Sequence, residues 1–438
     1  MQSIDNKMVD EYVNNVCGLV KNKKVHENIK EELLGHIYEI VEEYIERGKS
    51  EEEAINQALL QMGSFDVIGS SLNKVHKAAP DWILLRMTSM FILFSIFTLG
   101  FMGINASSSG HYLGEISKKY IIRNGLYLII GIAVVMGISK IDYRSLKKYS
   151  KYIYIGAIII SIIGFSVCPV VNGTMGWVRI GVMSFNVLYI APILLTLSLA
   201  GIYENYDWSS LKNILIGFAL GFGPGLIFLV APSVTSLVIY TIAVTTLMII
   251  SGIKLRYVII SLGTLGMAFT AVIFQTAYNR ARITAFLRPI DDPYDVGWIY
   301  NQIYMLRKSA GLFGQGGNYA LDVLPLANSD YILTYIIYTF GWIVGIILIA
   351  LVLAFIIRIG FIGVNTKDKY GKLIVSGLCS LFATQFLLNI LMNLNLAPAF
   401  AISLPFISYG GTALIINIFS IGIITNVYKW RNTPYITA

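Results

Sequence analysis

The stretch 214–253, ILIGFALGFGPGLIFLVAPSVTSLVIYTIAVTTLMIISGI, contains no Asp, Glu, Lys, Arg or His. About 20 apolar residues are enough to carry a helix across the hydrocarbon core of a bilayer. This stretch is twice that long, and Pro232 interrupts it. A proline removes a backbone donor and breaks a helix interior, so the stretch predicts two membrane helices, 214–231 and 234–253. Working outward, apolar runs recur at 83–104, 121–139, 152–168, 185–202, 257–277, 331–357, 373–394 and 411–428. Ten runs predict an all-α polytopic membrane protein of about ten transmembrane helices. The composition agrees: of 438 residues, 56% are hydrophobic and 13% charged, with mean hydropathy +0.68, whereas soluble domains carry about 25% charge.

The first 80 residues differ from the rest. Residues 1–80 hold 14 Asp/Glu and 9 Lys/Arg; residues 81–438 hold 11 and 24. The basic excess therefore flanks membrane spans. It does not form a basic stripe with interleaved aromatics, so no nucleic-acid partner is expected. Val9, Tyr12, Val13, Val16 and Val20 have helical spacing, as do Ile29, Leu33, Ile37, Ile40 and Tyr44. Ser50 and Glu53 form a capping box for a third helix, Gly63 follows its end, and a fourth helix is predicted from Phe65 to His76. His36 reads as a partly buried helix histidine and Glu42–Glu53 as a solvated face. Cys17, Cys168 and Cys379 lie far apart, and His26, His36, His76 and His111 form no HExxH, so no protein metal site is expected. No signal-peptide pattern opens the chain. The predicted division is a helical head, 1–80, followed by a membrane body, 81–438.

Short loops hold Lys140, Arg144, Lys147, Lys148 and Lys151, then Lys254 and Arg256, then Arg358, Lys367, Lys369 and Lys372, then Lys429 and Arg431. Ten spans put all of these, with both termini, on one side, and the positive-inside rule makes that side cytoplasmic. Lys118, Lys119 and Arg123 violate the rule slightly. None of the ten runs contains Asp or Glu, which argues against a proton-driven pump. Five of the acids after residue 80 fall in the long outer loop 278–330: Asp291, Asp292, Asp295, Asp322 and Asp330. Long ordered loops are usually functional.

Three segments could carry chemistry. NRARITAFLRPIDDPYDVGWIYNQ (279–302) sets Asp292 before Pro293 among arginines, where a carboxylate could act as general base or simply make a turn. GLFGQGGN (311–318) lacks the ending of a P-loop and reads as a flexible re-entrant turn or a close backbone approach. LPFISYGGTA (404–413) reads as broken helix, which membrane depth tolerates only when it is buried in protein or faces water.

In this order, the three segments resemble the SEDS family (FtsW/RodA/SpoVE) over residues 83–430. LPFISYGG is the most specific element, with Gln385, Asn389 and Pro398 at matching spacing upstream. GTMGWVRIGVMSF (173–185) keeps Trp177 and Gly181, and NSDYILTYI keeps Asp330. The head resembles a permease-prefix domain, which implies docking or regulation. The family resemblance implies a bacterial plasma-membrane peptidoglycan glycosyltransferase. It would polymerise lipid II, a polyprenyl-diphosphate disaccharide peptide, at the outer face, paired with a class B penicillin-binding transpeptidase.

It implies Asp292 as the catalytic carboxylate. Arg280, Arg282, Arg288 and Lys308 are candidates to stabilise the diphosphate, as is a divalent cation, Mg2+ or Mn2+. Trp177, Asp330, Ser408, Tyr409, Gly410 and Gly411 are candidate substrate-binding residues. The chain departs from the family at Gly176, Asn186–Tyr189, Pro232–Thr235, and Tyr338 with Thr339, where charged or acidic residues are replaced. Two other readings therefore stand beside the enzyme: an inactive scaffold for the transpeptidase, and a lipid-linked precursor flippase.

Overall fold

The computed structural model describes all residues except 1–6, 22, 76–78, 109–112, 168–175, 181–182, 231–232, 276, 290–296, 317 and 432–438; the side chains of some neighbours, Arg282 among them, are also outside the description. The chain divides into two compact units, Met1–Pro80 with Tyr428–Ala438, and Asp81–Val427.

In the first unit four helices pack on one apolar cluster: α1 (Lys7–Leu19), α2 (His26–Glu46), α3 (Glu51–Met62) and α4 (Phe65–Val75). Val9, Val13 and Val16 of α1 meet Ile29, Leu33, Ile37 and Val41 of α2 and Ala54, Ile55 and Ala58 of α3. Ser50 caps α3 as expected: its Oγ accepts from the Glu53 N–H at 3.4 Å, the first of the two bonds of a capping box. At the other end of α3, Gly63 takes φ +91°, which glycine adopts without a Cβ penalty. His36 corrects its expectation. It lies off the Ile29–Leu33–Ile37 stripe, its side chain is 62% exposed, and its partner is the still more solvated Glu39.

The second unit runs through α5 (Trp82–Ser108), α6 (Leu113–Ile138), α7 (Ser145–Lys148), α8 (Ser150–Val167), the strands β1 (Trp177–Ile180) and β2 (Met183–Asn186), and α9 (Val187–Tyr203). It continues through α10 (Leu211–Phe222), α11 (Gly225–Val230), α12 (Val234–Ser251), α13 (Leu255–Gln275), α14 (Ala277–Leu287), α15 (Trp298–Ser309) and α16 (Asn318–Val323). It closes with α17 (Ile332–Phe340), α18 (Trp342–Val364), α19 (Lys369–Asn393) and α20 (Gly411–Trp430). Six described helices are long and apolar enough to cross a membrane: Trp82–Asn105, Leu211–Val230, Val234–Ser251, Trp342–Val364, Lys369–Asn393 and Gly411–Trp430. Three apolar helices are shorter: Ile122–Ile138, Ser150–Ser166 and Val187–Tyr203. With α13 on the run 257–277, each predicted run carries helix. Wide lipid-facing surfaces such as Leu93, Ile129, Leu215 and Ile357 stay exposed, as a membrane solvent requires.

The run 331–357 is not one helix. It breaks at Gly341 (φ +91°) into the buried α17 and the lipid-facing α18. The cause is the glycine segment 311–316. The Gln315 N–H donates to Tyr338 O at 2.8 Å, and the Trp342 and Ile343 N–H groups donate to Gly311 O and Leu312 O at 3.1 and 3.3 Å. The backbones approach so closely that a Cβ on Gly314 would lie 2.2 Å from Thr339 O, and one on Gly341 would lie 2.1 Å from Leu312 O. The segment is therefore a clasp that satisfies a broken helix, and the reading as a flexible turn is replaced. The hairpin β1–β2, with Trp177 opposite Asn186, is a small departure from the all-α expectation.

Candidate functional site

LPFISYGGTA is built into the protein interior. Phe406, at φ +65° and 3% exposed, stacks on Phe382 at 5.6 Å and Phe91 at 6.4 Å and meets the edge of Phe355 at 5.7 Å. Ser95 on α5 donates to Ile407 O at 2.6 Å. An αL conformation at a bulky residue costs about 1–3 kcal/mol and persists only where its surroundings fix it; the aromatic cluster supplies that fixation. Gly411 exists for contact, since a Cβ there would lie 2.1 Å from the Tyr127 ring. The Tyr127 hydroxyl accepts from the Ser184 N–H at 3.0 Å, and Thr412 Oγ1 accepts from the Asn186 N–H at 2.9 Å. Gly411, through Tyr127, and Thr412 thus hold the hairpin, with Trp177 paired opposite Asn186.

The same motif holds residues 328–330. Ser408 Oγ donates to Ser329 O at 2.6 Å and accepts from the Leu404 N–H at 2.8 Å. The Tyr409 N–H donates to Asn328 O at 2.8 Å. From α19, Asn389 Nδ2 and Asn393 Nδ2 each donate to Asp330 O at 3.0 Å. Asn389 also donates to Ile402 O at 2.7 Å. Asn393 Oδ1 accepts from the Thr334 N–H at 3.0 Å and the Thr334 hydroxyl at 2.7 Å, which secures the first turn of α17. Both asparagines are fully buried. They are one turn apart, and Gln385 continues the stripe, where it accepts from the Tyr189 hydroxyl at 3.3 Å.

The residue on which this framework converges, through its backbone carbonyl, is Asp330. Its carboxylate accepts no hydrogen bond among the described residues; burial alone pushes it up to about 6. Tyr189 lies in electrostatic reach, with Ser403 beside it. Asp330, Ser408, Tyr409, Gly411 and Trp177 are therefore linked through direct bonds, chain neighbours or shared partners, and Gly410 joins them only as a chain neighbour.

The large-loop residues form a separate group. Arg280 and Lys308 are exposed, and Arg288 is exposed just past α14. Asp292, the expected catalytic carboxylate, and the Arg282 side chain lie outside the described residues. What is described is how the flanks are tied. Asn301 Nδ2 donates to Pro289 O at 3.3 Å. The neighbouring Tyr300 accepts at its carbonyl from Asn395 at 2.8 Å and at its hydroxyl from the Ala399 N–H at 3.0 Å. Asn395 stands at φ +54°, a region asparagine tolerates. Arg307 was not singled out by the sequence. Its Nε is buried without a partner, and burial lowers its proton affinity; position in the last turn of α15 is the only signal the sequence offers. Among the described residues, no three His, Cys, Asp or Glu side chains cluster to hold a metal ion.

A family model described as cell cycle protein, FTSW_RODA_SPOVE, matches residues 87–433. Similar curated proteins include the probable peptidoglycan glycosyltransferase FtsW of a Geobacter species. It is 29% identical over 321 residues, 70% of this chain and 85% of the relative. The FtsW of a Thioalkalivibrio species is 30% identical over 325 residues, 71% and 81%. Stage V sporulation protein E of Bacillus subtilis is 26% identical over 370 residues, 81% and 98%. Among solved structures, a chain from a study of polymerization and crosslinking by a peptidoglycan synthase complex matches with TM-score 0.69 at 18% identity, covering 81% of this chain and 99% of that one. Thermus thermophilus rod shape determining protein RodA matches with TM-score 0.59 at 17% identity, with the same coverage. At those identities the likeness is one of fold; the family match and the curated relatives carry membership. The chain belongs to the FtsW/RodA/SpoVE family.

Proposed function

We propose that this protein is a peptidoglycan glycosyltransferase that polymerises lipid II at the outer face of the bacterial plasma membrane. The observation that carries the reading is family membership across 87–433, with curated relatives named probable peptidoglycan glycosyltransferase. The basic loops support a reading with both termini in the cytoplasm and the 278–330 loop outside.

In this reading Asp292 takes the proton of the acceptor sugar 4-hydroxyl. The oxygen attacks the donor anomeric carbon with inversion, and the C–O bond to the diphosphate breaks. The diphosphate departs as an anion and needs charge stabilisation rather than a proton. Arg280, Arg282, Arg288, Lys308 and the desolvated Arg307 are the cations of that region. Mg2+ or Mn2+ could add Lewis-acid stabilisation, but the described side chains offer no three-ligand set for it, and no step is assigned to it. A class B penicillin-binding transpeptidase is the proposed partner, and the head the proposed docking unit for a regulator.

The test uses full-length protein in detergent with lipid II and a gel readout of glycan chains. Wild-type protein gives a ladder and Asp292→Asn gives none. Unchanged chains from the variant would remove Asp292 from the mechanism. The replaced family positions, Tyr338 and Thr339 among them, favour one second reading: a scaffold that binds the transpeptidase and makes no chains by itself.

A further inference from the structure

We infer that Asp330 is a substrate-contacting residue of the saccharide site: its carboxylate accepts a hydrogen bond from a hydroxyl or acetamido N–H of the lipid-linked sugar. Asn389 and Asn393 are the positioning residues that aim it. This rests on the glycosyltransferase reading and deepens it.

The argument begins with satisfaction. Buried polar groups in folded proteins nearly always have partners. Around residues 328–330 that rule is obeyed closely. The Asn328, Ser329 and Asp330 carbonyls accept from Tyr409 N–H, Ser408 Oγ, and the two asparagines respectively. Asn393 uses both ends of its amide, donating to Asp330 O and Asn389 O and accepting twice from Thr334. In the midst of this saturation the Asp330 carboxylate is left open among the described residues, at a cost to the fold because it is half-buried. A group held this tightly by its backbone, yet denied a partner at its charged end, is poised for a donor from outside. Sugar hydroxyls and amides are such donors, and a charged acceptor binds them more strongly than a neutral one does.

The neighbours fit the same ligand. Tyr189 of α9 is, among the described residues, a titratable side chain in electrostatic reach. Among the described residues, α19 and the 404–409 segment bring neutral groups to residues 328–330: Asn389, Asn393, Ser408 and the Tyr409 backbone. No hydrogen bond or ion pair among the described residues brings a cation there to pair with a phosphate. The framework suits a neutral polyol, and the arginines of the large loop lie elsewhere on the chain for the diphosphate.

The experiment uses full-length protein in nanodiscs with dansylated lipid II, reading both initial polymerisation rate and equilibrium binding. Asp330→Asn, nearly isosteric, should bind the probe at least tenfold more weakly and lower kcat/KM at least tenfold, with no loss of thermal stability. The wild-type rate should fall as the pH drops through about 6, and that limb should vanish in the variant. Asn389→Leu should raise KM several-fold in wild type but add nothing on an Asp330→Asn background, a coupling that general destabilisation would not produce. Equal binding and rate for Asp330→Asn and wild type would overturn the inference while leaving the enzyme intact. If wild type makes no chains yet binds the probe, and Asp330→Asn weakens that binding tenfold, the inference stands and the polymerase reading falls. Absence of both activities in wild type would overturn both.

Discussion

The two ends of the membrane unit treat ionisable groups in opposite ways. At the end rich in Lys and Arg, the acids Asp81, Glu204 and Asp368 each have a cation or a hydroxyl. Asp81, whose side chain is 0% exposed, caps α5 through the Leu84 N–H and pairs with Arg358 of α18. Glu204 pairs with Lys147 at 2.7 Å. Asp368 accepts from the Tyr143 hydroxyl and from the Gly371 N–H, each at 2.8 Å. At the other end, around residues 328–330, neutral amides and hydroxyls satisfy the backbone, and among the described residues the Asp330 carboxylate is left without a partner. Paired charges there secure helix ends; the unpaired charge here is a cost that structure alone does not explain. The comparison separates ionisable residues that build the fold from one available for chemistry.

The sharpest way to break the comparison is at Asp81. Arg358→Met removes the partner and leaves a buried carboxylate uncompensated, which typically costs about 3–5 kcal/mol. The expected outcome is a large drop in the unfolding midpoint in detergent. Asp81→Asn combined with Arg358→Met should recover most of the loss, because no orphan charge remains. A single variant as stable as wild type would mean that the pair contributes nothing, and the contrast between the ends would lose its first term.

The next effect concerns the clasp. Gly341→Ala forces a Cβ to within 2.1 Å of a carbonyl oxygen in a backbone region that alanine disfavours. The expected destabilisation is about 2–4 kcal/mol. Gly314→Ala should cost about as much, and the double variant should cost less than the sum because both press on one contact. Thermal unfolding of the three variants checks this; full additivity would show that the two glycines act at separate places.

This clasp also marks the limit of sequence reading. Apolar length alone located ten helix-bearing runs, and local signals such as Ser50 with Glu53 and Gly63 located the head helices. The break at Gly341 escaped, because a positive φ leaves no trace in an apolar run and its cause sits in residues 311–316, far off in the chain. The LPFISYGG segment was legible as irregular backbone, but its seat among Phe91, Phe355 and Phe382 depends on three distant helices. Asp330 was marked by resemblance alone; that its carboxylate lacks a partner depends on which groups α19 and residues 404–409 bring and which they do not. His36 shows a smaller failure: spacing gave the apolar stripe correctly, and the histidine simply falls outside it.

The smallest expected effect is the most discriminating. Asp330 titrates at about 6 in the fold against an ordinary 3.8, raised by desolvation. A carboxylate raised in this way favours the folded state only while protonated. Its contribution is fully present below the unfolded value, is lost progressively between about pH 4 and 6, and leaves the ionised group a cost above that. Asp330→Asn removes the titration. The variant should therefore match wild type near pH 4, gain on it up to pH 6, and stay more stable by a constant margin to pH 8. For a half-buried group that margin is on the order of 1 kcal/mol after solvent screening, read as unfolding midpoints across that pH range. A variant that gains stability while losing polymerisation has the signature of a residue kept for its chemistry. A variant less stable than wild type at pH 8 would instead mean that the ionised carboxylate is satisfied within the fold. Asp330 would then be a structural acid of the same kind as Asp81, and the two ends of the molecule would no longer differ.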